Sequence, residues 1–252
     1  MTIFMCEPIW ENILTAMYDA WSSRKGYENI RFMIEPVKQY SLFDEYIRVE
    51  TDTSKARKVM DAINLRISTE VYRQLVYTSL SYEEDAIDNI YRVMILGFSL
   101  GDRVLDMVKY RDVMRNCEIR KRLSGEVHHF REFIRFHQIG DNMYVAHIEP
   151  KSRVLSALGD SFSDRMPSEN WMIVDDTHKE ALVHPVDKDF YIWKLSEDEF
   201  ARVLRTEEEN DQFTDLWKVF FDSIAIKQRK NEKCQNNLFP IWTRKHAVEF
   251  VN

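Results

Sequence analysis

Apolar residues recur every three or four positions through most of the first half of the chain. Trp10, Ile13, Leu14, Met17 and Trp21 fall on one helical face, and a stripe of that width needs a core to cover it. Ahead of it, Ile3-Phe4-Met5 reads as a short strand. Leu42 to Glu50 alternates as a strand does, with Phe43, Glu45, Ile47 and Val49 on one side and Asp44, Tyr46 and Arg48 on the other. Thr51-Asp52-Thr53 then supplies an N-cap for a helix from Lys55 to Ile67. Ser81-Tyr82-Glu83-Glu84 has the form of a capping box, followed by Ile87, Ile90, Tyr91, Met94 and Phe98. It predicts a helix of about four turns that ends between Gly97 and Gly101. A further helix is expected from about Asp112 to His128, with Gly125 inside it.

From Phe133 the apolar period shortens from about 3.6 to 2, the change that separates helix from strand. Phe133 to Ile139 and Met143 to Ile148 flank Gly140-Asp141-Asn142, a hairpin signal. Pairing Ile139 with Met143 sets His137 opposite Val145 and Arg135 opposite His147. Ile134, Phe136, Tyr144, Ala146 and Ile148 then face the core, and Arg135, His137 and His147 share the other face. Val154, Leu155, Leu158, Phe162 and Met166 predict a crossing helix that ends at Pro167. Strands are expected at Trp171 to Val174, Ala181 to His184 and Phe190 to Leu195. Ser196-Glu197-Asp198-Glu199 is a second capping box, opening a helix to about Arg205, and Phe213, Leu216, Trp217, Phe220 and Ile224 mark a last, aromatic helix. The expected class is α+β: a helical N-terminal part, a central antiparallel sheet with helices packed on one face, and a C-terminal helix. Residues 1–128 form the mainly helical part with short strands, and 129–252 the sheet with the C-terminal helices, together one compact unit.

Composition narrows the function classes. A chain of 252 residues with 44% hydrophobic and 13% aromatic residues, and only 6 Gly and 6 Pro, builds a real core rather than a disordered tail. Its glycines stand too far apart to write a dinucleotide fingerprint, a P-loop or a Gly-x-Ser-x-Gly elbow. Cys6, Cys117 and Cys234 show no Cys-x-x-Cys or Cys/His ligand spacing, so free thiols in a reducing compartment are expected. The longest uncharged apolar run, Val93 to Gly101, is far too short to span a bilayer, and no charged n-region precedes an apolar h-region. A cytoplasmic protein without a membrane partner is the expectation. The net charge of -7 hides two basic stretches. Between Lys109 and Arg135 eight basic residues face four acidic ones, and between Lys227 and His246 six face Glu232 alone.

Several groups of side chains carry candidate chemistry. His128 and His129 are adjacent and point about 100° apart on a helix. His137 and His147 could converge on the sheet face with Glu149, but ordinary surface histidines explain them, so neither a metal nor a cofactor is expected. His178-Lys179-Glu180 imitates the start of a zinc-deaminase signature but lacks its Pro-Cys-x-x-Cys partner. Asp175-Asp176 beside Lys179 could support acid-base or Mg²⁺ chemistry, and an acidic turn accounts for it more simply. Glu126, His128, Arg131, Arg135 and His137 gather where helix gives way to strand. That junction could present cations and imidazoles to a phosphate backbone, or hold a Glu126 to Arg131 ion pair beside a solvated sheet face. Lys227 to Asn231 and Trp242 to His246 place cations near a Trp, as surfaces that touch phosphates and bases do, and as snorkelling helix ends also do.

The order of certain short motifs adds a family likeness. Arg48-Val49-Glu50-Thr51-Asp52 with Lys55-Ala56, Leu100-Gly101, Glu126-Val127-His128 and Phe133-Ile134-Arg135-Phe136 begin it. Ile148-Glu149-Pro150, Phe162 with Asp164-Arg165, Trp171 to Asp175, Ala225-Ile226-Lys227, Arg229-Lys230-Asn231 and Pro240 continue it. Over nearly its whole length the chain resembles a family of DNA-metabolism or repair proteins of unassigned activity. The chain departs from that pattern at Glu132, where Gly is usual, and at Pro240-Ile241-Trp242-Thr243, where an Arg-Tyr-Trp-like sequence is usual. The resemblance implies a protein that works with a radical SAM DNA modification or repair partner, and relatives fused to uracil-DNA-glycosylase-like domains point the same way. With no Cys-x-x-x-Cys-x-x-Cys in the chain, an iron-sulfur cluster of that kind would belong to the partner.

The expectation is a DNA metabolism or repair accessory protein that binds DNA, the radical SAM partner, or both. Arg131, Arg135, His137, Lys227, Arg229 and Arg244 would contact phosphates, with a steep salt dependence. One alternative is a nucleic-acid-processing enzyme of hydrolase or glycosylase type, with Glu126, His128 or Asp175 as general acid or base. Another is a protein-binding scaffold without DNA affinity, which holds its partner through the aromatic C-terminal helix and its basic tail.

Overall fold

The computed structural model describes residues 1–37, 40–139, 142–206, 223, 231–233, 236 and 239–247. The residues read as a last aromatic helix (Phe213, Leu216, Trp217, Phe220 and Ile224) lie outside that set, as do Lys227, Arg229 and Cys234. The chain forms two compact units, Met1–Leu123 and Ser124–Asn252. The architecture is α+β. Among the described residues no helix is long and apolar enough to cross a membrane.

The first unit opens with β1 (Thr2–Cys6), α1 (Trp10–Ser22), β2 (Ile30–Ile34) and β3 (Glu45–Arg48). β1 lies between β2 and β3 and pairs in parallel with both, as strands joined by crossovers rather than hairpins must. Buried Asn12 on α1 accepts the Glu7 N–H and donates to Val49 O and Thr51 Oγ1, which ties the helix to the chain just after β1 and β3. Then follow α2 (Thr53–Arg66), α3 (Thr69–Ser79), α4 (Ala86–Leu100) and α5 (Arg111–Phe133), which runs on into the second unit. Asp52 caps α2 as expected, accepting from Ser54 N and Lys55 N.

Three sequence expectations change here. Leu42 and Phe43 are almost fully exposed and the strand starts at Glu45. Trp21 leaves the apolar face of its helix for solvent, at 61% exposure. The Ser81 box does not open α4, which starts at Ala86. Arg115 holds Glu83 at 2.8 Å and Asp85 at 2.7 Å, and those ties keep the chain in a turn where a helix start was expected. β2 and α3, the latter capped by Ser68 onto Val71 N, are elements that the pattern reading did not include.

The second unit takes the end of α5 and adds β4 (His137–Ile139), β5 (Met143–Ile148), α6 (Leu155–Arg165), β6 (Trp171–Asp175), β7 (Glu180–His184), β8 (Tyr191–Lys194) and α7 (Glu197–Thr206). The strands lie in the order β4-β5-β6-β7-β8. All neighbours are antiparallel except β5 and β6, which are parallel and joined through α6. The expected hairpin register holds, with Ile139 opposite Met143 and His137 opposite Val145. The strand itself is shorter than expected. α5 continues to Phe133, where Phe130 is buried and Phe133 stacks on Phe239 at 3.9 Å, so Arg135 precedes β4 and has no place opposite His147.

α6 covers one face of this sheet. Phe162 meets the rings of Phe136 and Trp171 edge-on, and Trp171, fully buried, stacks on His184 at 4.8 Å. The other face was expected to be solvated, yet His147 is buried. The segment 239–247, with a 3-10 turn at Ile241–Thr243, brings His246 against it. The second capping box forms as read: Glu199 accepts from Ser196 N at 2.8 Å and its own N–H donates to Ser196 Oγ.

Candidate functional site

β5 and β6 end side by side, with Ile148 opposite Asp175 and the Asp176 N–H donating to Ile148 O at 2.9 Å. The next residues, Glu149 and Asp176, therefore stand at the carboxyl ends of two parallel strands joined by a crossover helix, the place where open sheets commonly gather ligands. Side chains alternate along a strand. Asp175 falls on the same side as Trp171 and Ile173, and Asp176 falls with Val174 and its parallel partner His147.

The two aspartates do different work. Asp175 is fully buried and accepts the N–H groups of Thr177 and His178 at 3.0 Å each, with His178 Nδ1 at 2.6 Å from its other oxygen. Burial pushes its carboxyl above the usual range while His178 draws it down. It closes the turn into β7, where Lys179 adopts a left-handed φ of 56°. Asp176 instead faces a group of imidazoles. His147 Nδ1 lies 2.9 Å from Asp176 Oδ1, and His246 Nε2 lies 3.6 Å from Asp176 Oδ2. The His147 side chain is 1% exposed, and its Nε2 has no hydrogen-bond partner among the described residues. Glu149 pairs with the ammonium of Lys245. Glu149, Asp176 and His246 each offer one donor atom, and these atoms lie within 4.8 Å of one another. His137 joins from β4, its ring parallel to that of His147 at 6.2 Å. A carboxylate on an imidazole fixes the tautomer and orientation of that ring.

The other residues singled out from sequence are placed as follows. Glu126 is buried, and one of its oxygens accepts the N–H groups of Lys151 at 2.6 Å and Ser152 at 3.1 Å. It holds the loop that carries Glu149. His128, two residues on and so on the opposite helix face, is 64% exposed and lies 3.1 Å from Glu132. Arg131 donates to Ala157 O, and Arg135 to the carbonyls of Glu132 and Ile134. Arg244 donates through Nε to Phe239 O at 2.8 Å and through Nη2 to Asn236 Oδ1. Of the expected site residues that are described, His137 is the one whose ring stacks on the imidazole that holds Asp176. In the sequence Asp176 stands out only as half of an acidic pair and His246 only as the end of a basic tract. Beside them Lys151 lies over the ring of Trp242 at 4.8 Å, and Trp242 stays 38% exposed.

Comparison with curated proteins returns no match. A family model matches residues 84–249, well over half the chain, and the matched stretch contains Glu149, Asp176 and His246. The chain thus belongs to the family defined by DUF4130, a domain of unknown function.

Proposed function

We propose that the protein processes nucleic acid in DNA metabolism, with His147, Asp176, His246 and Glu149 as its chemical centre. The observation that supports this is the placement of Asp176 between two imidazoles at the ends of parallel β5 and β6. An imidazole oriented by a carboxylate can take a proton from water or a hydroxyl, and a neighbouring carboxylate can orient that group. Hydrolysis of a phosphodiester or a glycosidic bond is the class of reaction that fits. The DNA substrate rests on the family resemblance set out above. Within this reading Glu126 and Asp175 hold backbone N–H groups, and His128 lies on a solvent-facing side of α5.

The test is incubation of the purified protein with end-labelled single- and double-stranded DNA, with and without divalent cations, scoring strand breaks and alkali-labile sites. Turnover is expected, and its loss in Asp176→Asn at an unchanged melting temperature. Absence of product from every DNA under every condition overturns the reading.

A second reading, an accessory protein that holds DNA for a radical SAM partner, is favoured by Trp242. A part-exposed ring with Lys151 over it and Lys245 close in sequence suits a stacked base and its phosphates. Salt-sensitive micromolar binding in fluorescence anisotropy, lost in Trp242→Ala and unaccompanied by turnover, would put this role in place of the enzyme. Binding that is absent at low salt removes it.

A further inference from the structure

We infer that Glu149, Asp176 and His246 form a site for one divalent transition-metal ion of the zinc or manganese class. Their donor atoms already lie within 4.8 Å of one another. Ligands that share an ion at about 2.0–2.2 Å lie roughly 3–4 Å apart, so small side-chain rotations close the site. The 3.6 Å between His246 Nε2 and Asp176 Oδ2 is too long for a hydrogen bond and suits two ligands of one ion.

Two further observations point the same way. His147, buried and bonded through Nδ1 to Asp176 Oδ1, leaves Oδ2 on the side of His246. Supporting groups of this kind orient metal-binding carboxylates. In addition, a cation already lies against the cluster, since the Lys245 ammonium pairs with Glu149. Lys245 is 62% exposed and can swing out to water, leaving two carboxylates and an imidazole for a dication. One nitrogen with two carboxylate oxygens is a borderline donor set, better matched to zinc or manganese than to the all-oxygen shells of calcium. In its catalytic role, activation of a bound water, the ion rests on the reading given under Proposed function. Its binding does not.

The experiment is calorimetric titration of the full chain, freed of metal by chelation, with Zn²⁺ and Mn²⁺ in the absence of DNA. One ion per chain is expected, at micromolar affinity or tighter. Asp176→Asn and His246→Ala should weaken binding by at least about tenfold, with circular dichroism confirming the fold. Lys245→Ala removes the competing ammonium and should tighten binding severalfold, a gain that a damaged fold does not imitate. The inference is overturned by the lack of saturable binding, or by binding that Asp176→Asn and Lys245→Ala both leave unchanged. In that case the contacts are ion pairs that fasten the segment 239–247 to the sheet. Metal binding without DNA turnover would keep this inference and remove the enzymatic reading. Turnover that persists in chelator, with no metal bound, would do the reverse.

Discussion

Replacing Glu126 by Ala tests how the loop that carries Glu149 is held. A single oxygen of Glu126 accepts two backbone N–H groups, from Lys151 and Ser152, and both Glu126 and Ser152 are buried, so water does not readily take its place. Hydrogen bonds to a charged acceptor contribute about 1.5–3 kcal/mol each. Losing two, less the relief of removing a buried charge and the few tenths that Ala gains in helix propensity, comes to about 3 kcal/mol. That is a large share of the stability of an ordinary domain. Gln keeps an oxygen where both donors need it, without the charge, and should cost about 1 kcal/mol. Urea unfolding followed by tryptophan fluorescence reads both variants. A role for Glu126 in holding the loop is refuted if Ala and Gln both stay within about 0.5 kcal/mol of the parent, a typical limit for inert surface changes. It is refuted equally if Gln costs as much as Ala, since charge rather than loop attachment would then be the cause.

Three more outcomes are expected. Burial pushes the Asp88 carboxyl from 3.8 up to about 6, against the pull of the Phe32 N–H and Arg31. The fold thus favours its protonated form, and that contribution is complete below about pH 4 and lost as pH rises through about 6. Asp88→Asn, which can still accept from Phe32, should raise stability by up to about 2–3 kcal/mol at neutral pH and by little at pH near 4. Equal shifts of the melting temperature at both pH values would refute this. In Gly159→Ala the new Cβ would stand 2.4 Å from Phe190 Cζ. Overpacking at about 1–3 kcal/mol should outweigh a helix gain of about 1 kcal/mol, so the melting temperature falls, and a rise contradicts the packing argument. His128→Ala should change stability by less than about 0.5 kcal/mol, as for exposed i,i+4 pairs, and leave DNA turnover intact. Loss of turnover in a folded variant would return His128 to the chemical centre.

What was legible in the sequence was local. The apolar stripe of α1, the Asp52 cap, the hairpin register and the Ser196 box each depend on residues within a few positions of one another. What was not legible depends on distant partners. Phe130 and Phe133 fit a strand start as well as a helix end, and Phe239, far along the chain, decides for the helix. Arg115 undoes the Ser81 box in the same way. A pattern of strands does not by itself state their direction, yet a helix between two of them was the available sign that β5 and β6 run parallel. Ile30–Ile34 does alternate, with Ile30 and Phe32 buried and Arg31 exposed, and could have been read as β2. The site divides along the same line. That His137 and His147 share a face followed from register, whereas His246 reaches Asp176 only through tertiary packing.

Asp175 and Asp176 are chemically identical neighbours whose fates differ only by which side of the pleat each occupies. Trp171, locked against His184, sets the count: four residues on, a carboxylate closes the turn, and five residues on, a carboxylate meets His147. A deletion of one residue between Trp171 and Asp176 would exchange the sides. Because two acidic residues stand in a row, such a slip still delivers an acidic side chain to one of the two positions. Among relatives, equivalent acids are therefore identified by their odd or even distance from this tryptophan, not by the acidic pair itself.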